Sequence, residues 1–216
     1  MGHRPCSNEG DDESHLMTIR LLDLVSTSSH NDLETSLAYF RTHVPWVAPQ
    51  AYMHIIFKPT PSDALAQVAQ KLRMPPVFME FLKTQNGAIL YSGALSIYGV
   101  SPPGQRLNRS DPFSRSPFDI ERENSNWPPY DAETFIVIGG YGFDGSSACI
   151  NRSTLHIDLF QRGEASLQST PVCSWNSLDE WIRDEHSRLS MLFDSAGRRL
   201  VGESETVCRP SSRGPN

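Results

Sequence analysis

The sequence predicts an α+β domain, on three observations. Helical signals lie early and late in the chain, strand signals fill its middle, and the glycine cluster from Gly139 to Gly145 joins two runs that read as antiparallel strands. A chain of 216 residues with 38% hydrophobic content can bury one full core and is read as one domain. Residues 1–14 are polar and charged, and residues 201–216 are rich in Ser, Gly, Pro and Arg. Neither end buries enough surface to offset its ordering entropy, so both are expected as disordered tails around a domain at 15–200.

Taken in order, Leu33, Leu37 and Phe40 recur at helical spacing behind Asn31 or Asp32 as N-cap, and Pro45 stops that helix. A short strand is expected at Met53–Phe57. Ser62 is expected to cap a second helix, whose Leu65, Val68, Ala69 and Leu72 form one apolar stripe. Pro75-Pro76 ends it, and Pro76 opens a third helix through Thr84 with Asn86-Gly87 as the left-handed stop. Leu95–Val100 alternates as a strand and leads into a long loop, Ser101–Ser116. Phe118–Glu123 alternates again, and the runs Ser146–Asn151 and Leu155–Phe160 extend the sheet. The clearest helix is Leu178–Asp194, introduced by the capping box Ser177-x-x-Glu180, with Leu178, Trp181, Ile182, Leu189, Leu192 and Phe193 on its buried side. Trp175 and Trp181 are assigned to the core.

Gly140-x-Gly142-x-x-Gly145 matches the dinucleotide fingerprint and follows an apolar run. A phosphate needs a helix N-terminus next, and the residues that follow read as strand, turn and strand instead. The glycines are therefore expected to permit a turn, and Asp158, near the offset of a ribose-binding acid, to face solvent. No hydrolase elbow, Walker loop, zinc-protease helix or EF-hand loop is present in the sequence. No catalytic residue, metal site or cofactor is expected. The seven histidines are scattered, and His156 and His186 are expected at the surface.

The formal charge is −6, but Glu9, Asp11, Asp12 and Glu13 against Arg4 supply half of it within the first fifteen residues. The mildly acidic remainder offers no basic face for nucleic acid. Cys6, Cys149, Cys173 and Cys208 form no paired metal or disulfide pattern, so reduced thiols in a cytoplasmic protein are expected. No apolar run is long enough to span a membrane and no secretory signal is read at the N-terminus.

Strand periodicity would put Asp119, Glu121 and Glu123 on one face. Three readings stay open: a hydrated outer face, an acidic strip that docks a basic cleft and steers association, or, less favoured, a metal site that would need further ligands from elsewhere. Trp127 and Tyr130, in a proline-stiffened loop, either cover the core edge or anchor an interface. Tyr141 and Asp144 at the glycine turn are the last candidates for partner binding.

The pieces Phe81-Leu82-x-x-x-Asn86-Gly87, Leu95-x-Ile97-Tyr98-Gly99-Val100, Ile136-x-Ile138-Gly139-Gly140-Tyr141-Gly142-x-Asp144-Gly145 and Trp175-x-Ser177-Leu178-x-Glu180-Trp181, with Glu185, Arg188-Leu189 and Leu192-Phe193-Asp194, follow one another in a telling order. That order, from about Pro61 to Gly197, resembles the SUKH superfamily, the Smi/Knr-like group. The resemblance implies a central, mostly antiparallel twisted sheet flanked by helices. It also implies the role of bacterial members: immunity proteins that bind and neutralise a cognate protein toxin, often a nuclease or nucleic-acid-modifying enzyme. The alternative it implies is a regulatory or scaffold module without a toxin partner.

Overall fold

A computed structural model describes residues 19–25, 36–40, 52–101, 116–126, 128–161, 164–192 and 200. The expected tails at 1–14 and 201–216 lie outside these, as do Trp127, Phe193, Asp194 and nearly all of the 101–116 loop. The elements run α1 (Leu21–Val25), β1 (Ser36–Phe40), β2 (Tyr52–Phe57), α2 (Ser62–Leu72), α3 (Pro76–Thr84), β3 (Ala88–Leu90), a 3-10 turn (Tyr91–Gly93), β4 (Leu95–Ile97), α4 (Ile120–Asn126), β5 (Phe135–Tyr141), β6 (Ser147–Asn151), β7 (Ile157–Phe160), β8 (Cys173–Trp175) and α5 (Leu178–Ser190). The strands form one eight-stranded sheet in sequence order, each antiparallel to the next. The α+β expectation with a central antiparallel sheet is met.

The glycine cluster is the strand, turn and strand expected of it. β5 runs into a turn at Gly142–Gly145, β6 returns, and no helix starts from Gly145. Burial of β5 and β6 is nearly continuous, so these central strands are covered on both faces. α5 packs against β8 and lays Trp181, fully buried, across Gly139 of β5. Ser177 caps α5 by accepting the Glu180 amide at 3.1 Å. Glu180 reaches back one residue further than the usual capping box, accepting from the Asn176 amide and side chain, both at 2.9 Å.

Several sequence expectations are corrected. The helix expected over Leu33–Phe40 is in fact strand β1 from Ser36, with Ser36 opposite Phe57 and Tyr39 opposite His54. Long-range pairing overrides a local period carried by three residues. The strand expected at Phe118–Glu123 is helix α4. Asp119 sits before its first residue and accepts the Glu121 amide at 3.0 Å, while its carbonyl takes the Glu123 amide at 2.9 Å, which is N-cap geometry. Ser62 is inside α2 rather than capping it, because Pro61 takes the cap position without a side-chain bond. Gly87 takes the left-handed conformation expected of it (φ 78°), but α3 has already ended on extended Gln85, and it is α2 that stops on a left-handed residue, Arg73 (φ 47°). β3 was not anticipated: three residues are too few to show a period. Cys173 is disulfide-bonded, its partner outside the described residues, so the expectation of reduced thiols fails there, while Cys149 is free and buried.

Three side-chain amides, Gln85 and Asn86 buried and Asn124 half-buried, finish what the backbone leaves open. Gln85 accepts from the Leu21 amide (3.0 Å) and donates to the Ile19 carbonyl (2.8 Å), tying α1 to the end of α3. Asn86 does the same to Val100, at 2.7 and 2.8 Å, and Gly99 has no Cβ because one would lie 2.3 Å from the Asn86 carbonyl oxygen. Asn124 of α4 brackets Val137 of β5, at 2.9 and 2.8 Å, where β4 has already ended. Each amide stands in for a neighbouring strand, satisfying a donor and an acceptor together.

Candidate functional site

The candidate partner-binding residues separate into buried, engaged and exposed groups. In a helix each residue advances about 100°, so Asp119, Glu121 and Glu123 do not share a face and the acidic strip is lost. Asp119 holds the start of α4, and Glu121 is ion-paired with Lys71 of α2. Tyr141 is also corrected. It is 3% exposed, accepts the Trp181 indole N–H at 3.0 Å, and belongs to the core. Asp144 is exposed and accepts the Ser146 amide at 2.8 Å, which shapes the turn. Tyr130 is 80% exposed. Beside it Asp131 donates its amide to the Ala165 carbonyl (3.1 Å) and accepts the Leu167 amide (2.6 Å), drawing exposed Leu167 to the same place. The length of β5 separates Tyr130 from Asp144, about 20 Å at 3.3 Å per residue.

What α4 does build is a cleft of about 550 Å³ against α2, lined by Asp63, Gln67 and Lys71 on one side and Asp119, Glu121 and Arg122 on the other. Three acids face two bases there, and the Lys71–Glu121 pair spans it. Ala64, Val68 and Val100 lie among these charges, so the cleft offers aliphatic and ionic contacts together.

The fingerprint glycines have packing reasons of their own. A Cβ on Gly140 would lie 2.5 Å from the Tyr98 hydroxyl, and one on Gly142 would lie 2.4 Å from the Gly93 carbonyl oxygen. Gly145 takes φ +75° to close the turn. Asp158, expected to face solvent, is half-buried and accepts the Ser174 hydroxyl. Among the described residues no group of three His, Cys, Asp or Glu is placed to hold a metal.

Two polar clusters escaped the sequence reading. In the first, Glu185 is 1% exposed and pairs with Arg188 at 2.5 Å, beside Tyr141 and Trp181. Burial and then the Glu185 carboxylate push the Tyr141 phenol well above its ordinary value, so it stays neutral. The signal was present: Glu185 follows Trp181 by four residues, on the stripe the helix buries. In the second, the Tyr91 hydroxyl lies 2.6 Å from His186 Nδ1 and 3.1 Å from the His186 carbonyl oxygen, so His186 is half-buried rather than at the surface. Burial lowers its pKa. Buried His54 stacks edge-on against the same tyrosine at 4.6 Å. His156 is exposed, as expected. No helix among the described residues is long and apolar enough to cross a membrane.

Compared with protein-family models and with curated proteins, the chain matches none of them.

Proposed function

We propose that this chain is a binding protein of the Smi/Knr-like kind, which neutralises a cognate toxin by occluding its active site without chemistry of its own. One observation supports the reading. The separated sequence pieces that carry the resemblance meet in space: Asn86 brackets Val100, Gly87 abuts Ile97 and Gly99, Gly139 lies under Trp181, and Trp181 bonds Tyr141. Residues that depend on one another in the core form a signature a family would share for its scaffold, leaving the surface free to vary with the partner.

The docking face we favour is the exposed Tyr130 and Leu167, a tyrosine anchor beside an aliphatic one. Purification of the chain with the product of its neighbouring gene tests the reading: a stable complex that silences that product's activity is expected, and no complex removes the toxin partner. Tyr130→Ala with Leu167→Asp should abolish the complex while leaving the melting temperature unchanged. Retained affinity would move the interface to the α2–α4 cleft. The disulfide at Cys173 argues against a reducing compartment, so alkylation of thiols at lysis tests the location: reduced Cys173 fits the cytoplasm, and oxidised Cys173 overturns that assignment.

A further inference from the structure

Asp63, Gln67 and Lys71 stand four residues apart on α2, so they share the wall it turns to α4 and form a row about 12 Å long at about 1.5 Å of rise per residue. The Lys71–Glu121 ion pair closes one end of that row against α4. Val100, also in the lining, is 2% exposed, and Asn86 satisfies both its amide and its carbonyl, so it offers hydrocarbon and needs no polar partner. Half-buried Ala64 and Val68 continue that apolar strip. Much of the polar lining is already engaged. Asp119 caps α4, the Ser101 hydroxyl donates to the Pro117 carbonyl at 3.3 Å, and the Ser125 hydroxyl donates to the Glu121 carbonyl at 2.8 Å. Among the described residues, the side chains of Asp63, Gln67 and Arg122 make no hydrogen bond or ion pair, which leaves an acid and a base on opposite walls and an amide halfway along the acid's wall.

We propose that the α2–α4 cleft is a groove for an extended peptide segment of a partner protein, which sets a basic side chain against Asp63, an acidic one against Arg122 and an aliphatic one between them over Val68 and Val100. A row of this length takes a segment of about four residues at about 3.3 Å each. Gln67 carries a donor and an acceptor together, the pair that a peptide backbone needs when it leaves water. The charges disfavour other occupants. A nucleic-acid strand would set its phosphates against Asp63, Asp119 and Glu121, and a wholly apolar segment would strip water from Asp63 and Arg122 and return no partner. Both charges are exposed, so each pair adds little strength, and their sign and separation select the sequence. The groove rests on the reading that this chain acts by binding protein, but not on the partner being a toxin.

Titration of the intact, isotope-labelled chain with the peptide acetyl-Lys-Leu-Leu-Glu-amide, followed by NMR, tests this. The Gln67 side-chain amide and the backbone amides of Val68 and Arg122 should shift together and saturate with a dissociation constant of about 1 mM. Acetyl-Glu-Leu-Leu-Glu-amide should bind about threefold more weakly, the effect of one exposed ion pair. Asp63→Lys should invert that order, and Arg122→Glu should shift the preference to acetyl-Lys-Leu-Leu-Lys-amide, so either variant decides alone should the other not fold. No saturable shift at the cleft, or a peptide order that a folded variant leaves unchanged, overturns the groove. Cleft shifts that follow protein concentration without peptide would give the site to a second copy of this chain and overturn it as well. The toxin reading is decided separately by the co-purification, so the failure of one is told from the failure of the other.

Discussion

The β5–α5 contact and the α4 segment are both pinned to strand β5, yet they are held in opposite ways. At the first, Gly139 has no room for a side chain: a Cβ would lie 2.8 Å from the Ser96 carbonyl oxygen and 3.0 Å from the Trp181 ring. Trp181 is fully buried and its only polar atom is bonded. At the second, a seven-residue helix fully buries Ile120 alone of its residues and docks through the amide of Asn124. Area and shape hold one region, and a few hydrogen bonds hold the other. Dispersion and hydrophobic burial scale with contact area, whereas a side-chain amide matters through what it would leave unpaired.

The largest expected effect follows from the first region. Trp181→Ala removes the largest fully buried side chain among the described residues and one of the hydrogen bonds of the Tyr141 hydroxyl, and should cost about 4 kcal/mol, or roughly 10 °C in the melting temperature of a chain this size. Calorimetry with denaturant unfolding checks it. A loss comparable to that of a surface substitution would dissolve the contrast. In the second region Asn124→Ala leaves a Val137 donor and acceptor without partners and should cost about 2 kcal/mol. That loss should be local: exchange at the Val137 amide and along Ile120–Asn126 should accelerate well before the β6 amides respond, which marks α4 as a separately opening unit.

The same contrast explains what was legible in the sequence. Glycines beside a β-branched run, a tryptophan on a helical stripe and the serine of a Ser-x-x-Glu box are read correctly because sterics and capping admit few alternatives at those residues. Phe118-Asp119-Ile120-Glu121 alternates, and alternation over so few residues is shared by a strand and by a capped helix that buries one isoleucine. The contact that docks the helix, Asn124 to Val137, joins two elements that no local window contains together. Likewise β1 is strand because β2 lies beside it, a fact that no window around Ser36 contains. The candidate site suffered most. Asp119, Glu121 and Glu123 share a direction only on a strand, so as a helix start they have none in common, and Tyr141 lies near a turn but its hydroxyl is taken by Trp181.

Asp119→Ala sharpens the account of α4 from its other end. Loss of the N-cap acceptor should cost about 1 kcal/mol, and Asp119→Asn, which keeps an oxygen on the Glu121 amide, should restore most of it. Both read out as denaturation midpoints at constant slope. An equal loss in both variants would assign the effect to charge in the α2–α4 cleft rather than to the cap.

The smallest expected effect bears on whether the cleft is itself an element of the fold. Lys71 and Glu121 join α2 to α4, but their side chains are 61% and 36% exposed. Coulomb attraction there is weakened by water and opposed by the entropy of holding two long side chains. A double-mutant cycle of Lys71→Ala and Glu121→Ala should therefore give a coupling of about 0.3 kcal/mol, fading as salt rises. If the coupling instead exceeded 1 kcal/mol and survived salt, the pair would be shielded and the cleft would be a closed joint, so α4 would belong with the rigid β5–α5 region. A small coupling leaves the carboxylate and the lysine free to change partners, as a docking surface requires.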